Sequence, residues 1–193
     1  MRAAIVAIIS ALFLFPSLVM STTFGFIGTG TMSSAIVRGL CTLDSPPKAI
    51  IISPRNAEKA AALHAEFPEL VTIATDNQAV VDACDVVFIG VLPKLCEEVC
   101  KSLTFKATQT VCSLVSTATL EVLRASCAGV PEAQVIRAIP LPPVAKHHGA
   151  TIMCPPHPVV TPMFESLGTC VAVKTEDVMK KMMPVRRVRV QRA

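Results

Sequence analysis

Residues 24–40 read FGFIGTGTMSSAIVRGL. The stretch begins with an apolar run, breaks at Gly28-Thr29-Gly30, and then returns to apolar residues at the spacing of one helix face. This pattern predicts a strand, a tight turn and a helix, in that order. A strand that leads into a helix through glycines is typical of the first unit of an open α/β sheet.

The glycine turn predicts a binding site for a dinucleotide. The stretch contains Gly28-x-Gly30-x-x-Ser33 and differs from G-x-G-x-x-G/A only at its third position. The first glycine permits the tight turn, the second lets backbone N–H groups approach a pyrophosphate, and the third lets helix and strand pack closely. Serine is small enough for that third role. The alternative is a tight turn that serves packing alone.

Short β-branched runs alternate with amphipathic stretches from residue 23 onward. We predict strands at 23–28, 49–53, 71–74, 86–91, 110–114, 134–138, 151–154 and 169–173. We predict helices at 31–41, 56–66, 77–83, 95–103, 117–126 and 158–167. Because parallel strands need long crossovers, the alternation predicts an α/β fold: a single Rossmann-type domain with a doubly wound, mainly parallel sheet.

The sequence divides into three segments. Residues 22–176 form the predicted NAD(P)-binding domain, and residues 1–21 form an apolar leader with a single Arg, which is typical of a secretory signal or another targeting segment. The leader is short for a membrane span. A targeting role predicts the secretory pathway or a plastid, whereas translation from Met20 predicts the cytoplasm; both remain open.

The basic character of the chain is confined to its end. Residues 180–193 hold six of the 18 Lys and Arg and none of the 14 Asp and Glu, so the rest of the chain has a slight negative charge. A weak helical start precedes Pro184, and we expect residues 177–193 to be a basic tail that is disordered or a truncation artefact. Since the chain has no Trp or Tyr, stacking platforms are scarce and we expect no nucleic-acid partner.

The eight cysteines are predicted to be buried and reduced. They lie scattered through apolar segments and form no C-x-x-C. We expect no metal site, because Cys96 and Cys100 are followed by no further ligand at suitable spacing. No Ser/His/Asp or paired-carboxylate constellation can be assembled, so the catalytic residues stay unassigned.

The end of the second predicted strand indicates which nicotinamide cofactor would bind. An NAD site usually places Asp or Glu here, where the carboxylate accepts a hydrogen bond from the ribose 2′-hydroxyl. The chain instead has Ser53-Pro54-Arg55-Asn56, with no acid until Glu58. Arg55 can pair with a 2′-phosphate, and Ser53 or Asn56 can donate to it. We therefore expect NADP (NADPH) as the cofactor.

Four stretches together resemble the N-terminal domain of the pyrroline-5-carboxylate reductase family. They are FGFIGTGTMSSAIVRGL, ISPRN, DVVFIGVLP and VIRAIPLPPVAKHHGAT, and the resemblance spans about residues 23–176. That family reduces the imino acid pyrroline-5-carboxylate with NAD(P)H in the last step of proline biosynthesis, and its members are homo-oligomers.

The resemblance implies roles for particular residues. Gly28, Gly30, Thr31 and Met32 would hold the pyrophosphate. Ser53, Arg55 and Asn56 would hold the adenosine phosphate, with Asn77 on the adenosine side. The nicotinamide crevice would be lined by Val91, Leu92 and Pro93.

The chain also departs from the family pattern. Leu92 replaces a usual lysine, and Leu141-Pro142 replaces the Asn-Thr of M-P-N-T-P. The sequence ends where the helical dimerisation domain of the family should begin, so we expect a truncated reductase with little activity alone. The alternatives are a non-catalytic dinucleotide-binding module and a deazaflavin (F420)-dependent NADP reductase.

Overall fold

Eight strands form one sheet in the computed structural model, which describes residues 19–190 and their side chains as far as Met183. The predicted leader lies outside this range except for its last three residues. The strands are β1 (Thr23–Ile27), β2 (Ala49–Ile52), β3 (Val71–Ile73), β4 (Val86–Ile89), β5 (Thr110–Ser113), β6 (Val135–Pro140), β7 (Gly149–Cys154) and β8 (Gly168–Ala172). All eight predicted strands are confirmed.

Helices connect most of the strands. They are α1 (Thr31–Cys41), α2 (Ala57–Glu66), α3 (Asn77–Ala83), α4 (Cys96–Lys101), α5 (Leu120–Ser126), α6 (Val160–Ser166) and α7 (Glu176–Val190). Short 3₁₀ segments lie at Pro93–Leu95, Glu132–Gln134 and Pro142–Lys146. The first six helices confirm the predictions to within three residues at each end, and two of them have the predicted bounds.

The strand order is β3-β2-β1-β4-β5-β6-β7-β8. The first six strands run parallel, β7 is antiparallel to β6, and β8 is parallel to β7. The chain moves from β1 outward through β2 to β3, and then returns to place β4 on the other side of β1. The order therefore reverses between β1 and β4, and ligands of open α/β sheets bind at the carboxyl ends of the strands beside such a point.

Apolar side chains cover both faces of the sheet, which explains the nearly continuous apolar runs in the central strands. On one face Phe26 and Phe88 stack with ring centroids 4.8 Å apart, and Phe164 of α6 meets Phe88 edge-on. On the other face α3, α4, α5 and α7 contribute a second core that includes Leu123 and Met179. Each large apolar side chain buried in this way stabilises the fold by about 1.5–3 kcal/mol.

One row of paired residues crosses the sheet close to the end of β1. Ile27 pairs with Ile89, Ile89 with Ser113, Ser113 with Arg137, and Arg137 with Cys154. Cys154 is the last residue of β7, and β8 pairs only with the β7 residues before it. Both strands thus lie beyond the carboxyl ends of β1, β4 and β5 and border the crevice there.

The last helix, α7, covers most of the segment that the sequence predicts to be a basic tail. We expected a basic tail from residue 177, whereas α7 spans Glu176–Val190 and continues through Pro184. Its first turns are anchored by Met179, which is fully buried, and by Glu176, which pairs with Arg137 of β6. An apolar anchor and an ion pair therefore hold the start of this helix against the sheet.

All eight cysteines are free thiols, as expected, and six of them are buried. Burial raises the pKa of the half-buried Cys41 to about 12, with a further contribution from Glu66, so this thiol is protonated at neutral pH. Among the described residues, no helix has both the length and the apolar character needed to cross a bilayer.

Candidate dinucleotide site

The turn between β1 and α1 packs against the end of β4. Gly28 has a φ of +92°, a conformation that side chains rarely adopt, and a Cβ there would lie 2.7 Å from the carbonyl oxygen of Gly90. A Cβ on Gly90 would in turn overlap the Ser33 hydroxyl. The contact explains why small residues occupy these three positions.

Gly30 is a glycine for a different reason. Its backbone is extended, with φ −70° and ψ 178°, a conformation open to any residue. The nearest atom to a Cβ added there would be the carbonyl oxygen of Gly90 at 3.7 Å, an ordinary contact distance. Neither the backbone nor the packing of the protein requires glycine here, so the lack of a side chain keeps the surface beside the turn open.

The N-terminus of α1 is suited to an anion. The first helical hydrogen bond runs from the Ser34 N–H to the Gly30 carbonyl at 2.9 Å, so the N–H groups of Thr31, Met32 and Ser33 lack acceptors within the helix. No side chain caps this end, and its first turn contains no acidic residue. The uncapped N–H groups and the positive end of the helix dipole favour a phosphate.

The loop after β2 is tied to this turn by two hydrogen bonds. The Gly28 N–H donates to the Ser53 Oγ at 2.9 Å, and the Thr29 Oγ1 donates to the Arg55 carbonyl at 2.7 Å. Asn56 follows with a φ of +72° and caps α2, where its Oδ1 accepts from the Lys59 N–H at 3.4 Å. The sequence and structure thus bring the turn and the predicted phosphate-binding residues together.

Ser53 and Arg55 differ in their exposure. Ser53 is fully buried, and its hydroxyl accepts a hydrogen bond from the turn, whereas the Arg55 side chain is exposed. The Ser53 hydroxyl that was predicted to contact a phosphate therefore already forms a hydrogen bond to the turn. Arg55 is better placed to meet an anion from solvent.

Asn77 is the first residue of α3, one strand further out in the sheet. It follows Asp76, whose Oδ1 caps α3 by accepting from the Ala79 N–H at 2.8 Å. Asn77 is half-buried, and it lies after the carboxyl end of β3, on the same edge of the sheet as the glycine turn. This is the edge where the adenosine side of a dinucleotide was expected.

The segment Val91, Leu92 and Pro93 follows β4 at the same edge. Leu92 is 61% exposed, which is unusual for a large apolar side chain, and Pro93 begins a 3₁₀ turn. Val91 is half-buried and would contact a Cβ on Gly28. An apolar surface thus lies beside the turn, at the position expected for the nicotinamide.

The predicted site residues all lie at the carboxyl ends of the first four strands. They are Gly28, Gly30, Thr31, Met32, Ser53, Arg55, Asn56, Asn77, Val91, Leu92 and Pro93. Arg55 is their only charged member. This set can bind and orient a dinucleotide, but it offers no side chain that titrates near neutral pH.

Sequence reasoning did not assign Thr29 and Gly90. Thr29 links the turn to the loop after β2, and Gly90, directly after β4, packs closely against the turn. A hydrogen-bonding residue between two glycines was the available signal for Thr29. Gly90 ends an apolar strand, where a glycine often marks a close approach of another backbone.

Comparison with known proteins places the chain among oxidoreductases. Residues 23–119 match the model of the family described as NADP oxidoreductase coenzyme F420-dependent. The chain is also similar to the pyrroline-5-carboxylate reductase of Escherichia coli (strain K12), at 30% identity over 146 residues, which are 74% of this chain and 52% of that protein. It thus spans about half the length of the curated relatives it matches.

Solved structures agree with this comparison. The 1-pyrroline-5-carboxylate reductase from Streptococcus pyogenes matches with a TM-score of 0.66 and 25% identity, over 81% of this chain and 60% of that chain. A pyrroline carboxylate reductase from Plasmodium falciparum, solved with NADP bound, matches with a TM-score of 0.66 and 18% identity, over 82% and 60% of the two chains. The second likeness concerns the fold alone. The predicted resemblance to pyrroline-5-carboxylate reductases is confirmed.

Proposed function

The chain belongs to the family described as NADP oxidoreductase coenzyme F420-dependent, and we propose that it is the NADPH-binding domain of a reductase that acts on an imino acid. It is a pyrroline-5-carboxylate reductase-like, nicotinamide-dinucleotide-binding oxidoreductase domain. Two parts of this statement are proposals: that the cofactor is NADPH rather than NADH, and that the substrate is an imino acid.

Gly30 is the observation that most supports dinucleotide binding. This glycine is required neither by its backbone conformation nor by a neighbour within the protein, and it lies at the uncapped start of α1. A pyrophosphate close to the Gly30 backbone would explain both features, because it needs free N–H groups and cannot tolerate a Cβ.

The loop after β2 supports NADPH over NADH. The exposed Arg55 side chain follows a strand end without a carboxylate, and a carboxylate there would repel a 2′-phosphate. Arg55 and Asn56 would hold that phosphate, while Asn77 would lie on the adenosine side and Val91, Leu92 and Pro93 would line the nicotinamide crevice. NADPH would supply the hydride.

The proposed substrate is pyrroline-5-carboxylate or a related imino acid. The support is the similarity to the Escherichia coli enzyme, which extends beyond the nucleotide-binding turn to 74% of this chain. The named crevice residues contain no acid or base, so their proposed task is to position the nicotinamide rather than to transfer a proton. We propose that this chain alone has weak activity or none.

Calorimetric titration of the full chain with NADPH and NADH tests the cofactor. We expect NADPH to bind more tightly, and Arg55→Ala to lower NADPH affinity by about ten- to a hundredfold while leaving NADH affinity unchanged, since a charged hydrogen-bonded pair contributes about 1.5–3 kcal/mol. Lys48→Ala is the matched control because it removes an exposed cation at the opposite end of β2. Equal affinities for NADPH and NADH in the wild type would contradict the proposal.

A second assay separates the imino-acid reductase from the deazaflavin alternative, which the description of the matching family favours. NADPH oxidation is followed with pyrroline-5-carboxylate, and NADP reduction is followed with a reduced deazaflavin. Turnover of the imino acid, however slow, supports the proposal. Turnover with the deazaflavin alone would replace it. NADPH binding without either reaction is the result expected both of a non-catalytic module and of a reductase domain that is inactive alone.

A further inference from the structure

We infer that Thr29 is a positioning residue that sets the preference for a 2′-phosphate by holding the backbone of Arg55. The inference rests on the proposed function, because it needs NADPH to bind at the turn. It goes further by assigning part of the NADPH preference to a side chain that need not touch the phosphate.

The first observation is the burial of Thr29. A side chain between two half-buried glycines of a turn could point into solvent, yet Thr29 is only 1% exposed. Its Oγ1 donates a 2.7 Å hydrogen bond to the Arg55 carbonyl, 26 residues along the chain. The hydroxyl therefore points across to the loop after β2, away from the open surface beside Gly30.

The second observation is the geometry of that loop. The Arg55 side chain is exposed, and no hydrogen bond or ion pair of its guanidinium is found among the described residues. The next residue, Asn56, has a φ of +72°, which is uncommon for a residue with a side chain. The Thr29 hydroxyl contacts the carbonyl group that directly precedes Asn56 and so helps to hold this part of the loop.

The third observation is that two separate hydrogen bonds run from the turn to the loop. The turn donates its Gly28 N–H to the Ser53 side chain, and it donates its Thr29 hydroxyl to the Arg55 backbone. The Ser53 contact holds the pyrophosphate turn itself. The Thr29 contact is made to the backbone of Arg55 itself, so its loss should affect the 2′-phosphate more than the pyrophosphate.

Isosteric substitution of Thr29 tests the inference. Thr29→Val keeps the shape and removes the donor, whereas Thr29→Ser keeps the donor. Affinities of the full chain for NADPH, NADH, 2′,5′-ADP and 5′-ADP are measured by calorimetry. We expect Thr29→Val to weaken the binding of NADPH and of 2′,5′-ADP about fivefold, which is the effect of losing one net hydrogen bond. The affinities for NADH and 5′-ADP should be unchanged. Thr29→Ser should behave as the wild type.

The outcomes distinguish this inference from the proposed function. If Arg55→Ala lowers the preference for NADPH but Thr29→Val leaves the ratio of the two affinities at its wild-type value, the proposed function stands and the role of Thr29 is refuted. A parallel loss for all four ligands would refute it too, because it would assign Thr29 to the pyrophosphate turn. If the wild type has no preference for NADPH, the proposed function falls and the inference falls with it.

Discussion

The guanidinium of Arg137 is buried against the carboxylate of Glu176, so an ion pair joins β6 to the first turn of α7. Their side chains are 3% and 16% exposed. Arg137 also donates to the Ser116 carbonyl at 2.6 Å, and Glu176 accepts from the Leu120 N–H at 2.9 Å. One carboxylate thereby holds the start of α5, the start of α7 and a strand of the sheet.

Glu176→Gln should destabilise the protein strongly. The substitution leaves the Arg137 charge buried without its carboxylate, and the loss of one partner of a buried pair costs about 3–5 kcal/mol. Chemical denaturation measures the free energy of unfolding. The matched control is Glu132→Gln, which breaks the more exposed Arg124–Glu132 pair and should change stability by less than about 1 kcal/mol. Similar losses in both variants would contradict a special role for Glu176.

The Glu176 pair should stabilise the protein near neutral pH and lose that contribution in acid. Burial alone raises the pKa of Glu176, but hydrogen bonds from Leu120 and Arg137, together with the Arg137 charge, outweigh it and place the pKa below 4.5. A carboxyl with a lowered folded-state pKa stabilises the fold above its unfolded pKa and loses that contribution as pH falls. The difference in stability between wild type and Glu176→Gln should therefore shrink below pH 4.5, as measured by denaturation at stepped pH.

Substitutions of the two turn glycines should have different effects. Gly30→Ala should leave the free energy of unfolding within about 0.5 kcal/mol of wild type, because its Cβ meets no close neighbour. It should weaken the binding of NADPH about tenfold or more, or by about 1.4 kcal/mol, because the added Cβ would block the pyrophosphate.

Gly28→Ala should instead destabilise the fold by about 2 kcal/mol or more, since it combines a positive φ with a clash. Thermal unfolding and calorimetry measure the two effects separately, and unchanged NADPH affinity in Gly30→Ala would refute the pyrophosphate contact.

Ser33 and Gly90 should be energetically coupled. The Ser33 hydroxyl is buried, has no hydrogen-bond partner among the described residues, and occupies the space that a Cβ of Gly90 would need. Ser33→Ala should stabilise the fold by about 1 kcal/mol, because it removes an unsatisfied hydroxyl. Gly90→Ala should cost about 1–3 kcal/mol in the wild type and less in the Ser33→Ala background. Additive effects in this double-mutant cycle would show that the clash is relieved elsewhere.

His157 should make stability fall in mild acid. Its Nδ1 accepts from the Val159 and Val160 N–H groups at 3.3 Å each, and its Nε2 lies 2.8 Å from the Gln134 Oε1. Burial lowers the pKa of His157 below 6.5, so the unfolded chain takes up a proton first as pH falls. The contribution of His157 to stability should be constant above pH 6.5 and decline below it, by up to about 1.4 kcal/mol per pH unit between the two pKa values.

A substitution isolates this His157 contribution. His157→Asn retains an acceptor for the two N–H groups and cannot be protonated near neutral pH, so it should flatten the profile between pH 5 and 7. His148→Asn is the matched control because His148 is exposed. An unchanged slope in His157→Asn would assign the acid sensitivity to other groups.

The fold could be predicted from the sequence because its strands are buried on both faces. Runs such as VVFI in β4 are apolar throughout and end at glycine or polar residues, which marks their position clearly. The antiparallel direction of β7 could not be predicted in the same way. An 8-residue connection with two prolines separates it from β6, and apolar periodicity does not reveal the direction of a strand.

The candidate site was predictable where the backbone dictates residue type. Gly28, Gly30 and the polar segment 53–56 follow from the requirements of a tight turn and a strand end. The use of Ser53 and Thr29 as links within the protein was not predictable, since their partners lie 25 and 26 residues away and only the fold brings them together. Catalytic roles stay unassigned, because the crevice residues Val91, Leu92 and Pro93 have no acidic or basic side chain.

The row of paired residues from Ile27 to Cys154 implies that the two sides of the crevice differ in backbone mobility. On one side β6, β7 and β8 extend past this row as laddered strands, and on the other side the rim consists of irregular backbone around Leu92. Amide protons in a strand ladder exchange slowly with solvent, whereas those of an exposed loop exchange quickly. A dinucleotide that enters the crevice should therefore slow exchange mainly at the loop after β4, with the three strands serving as a rigid reference.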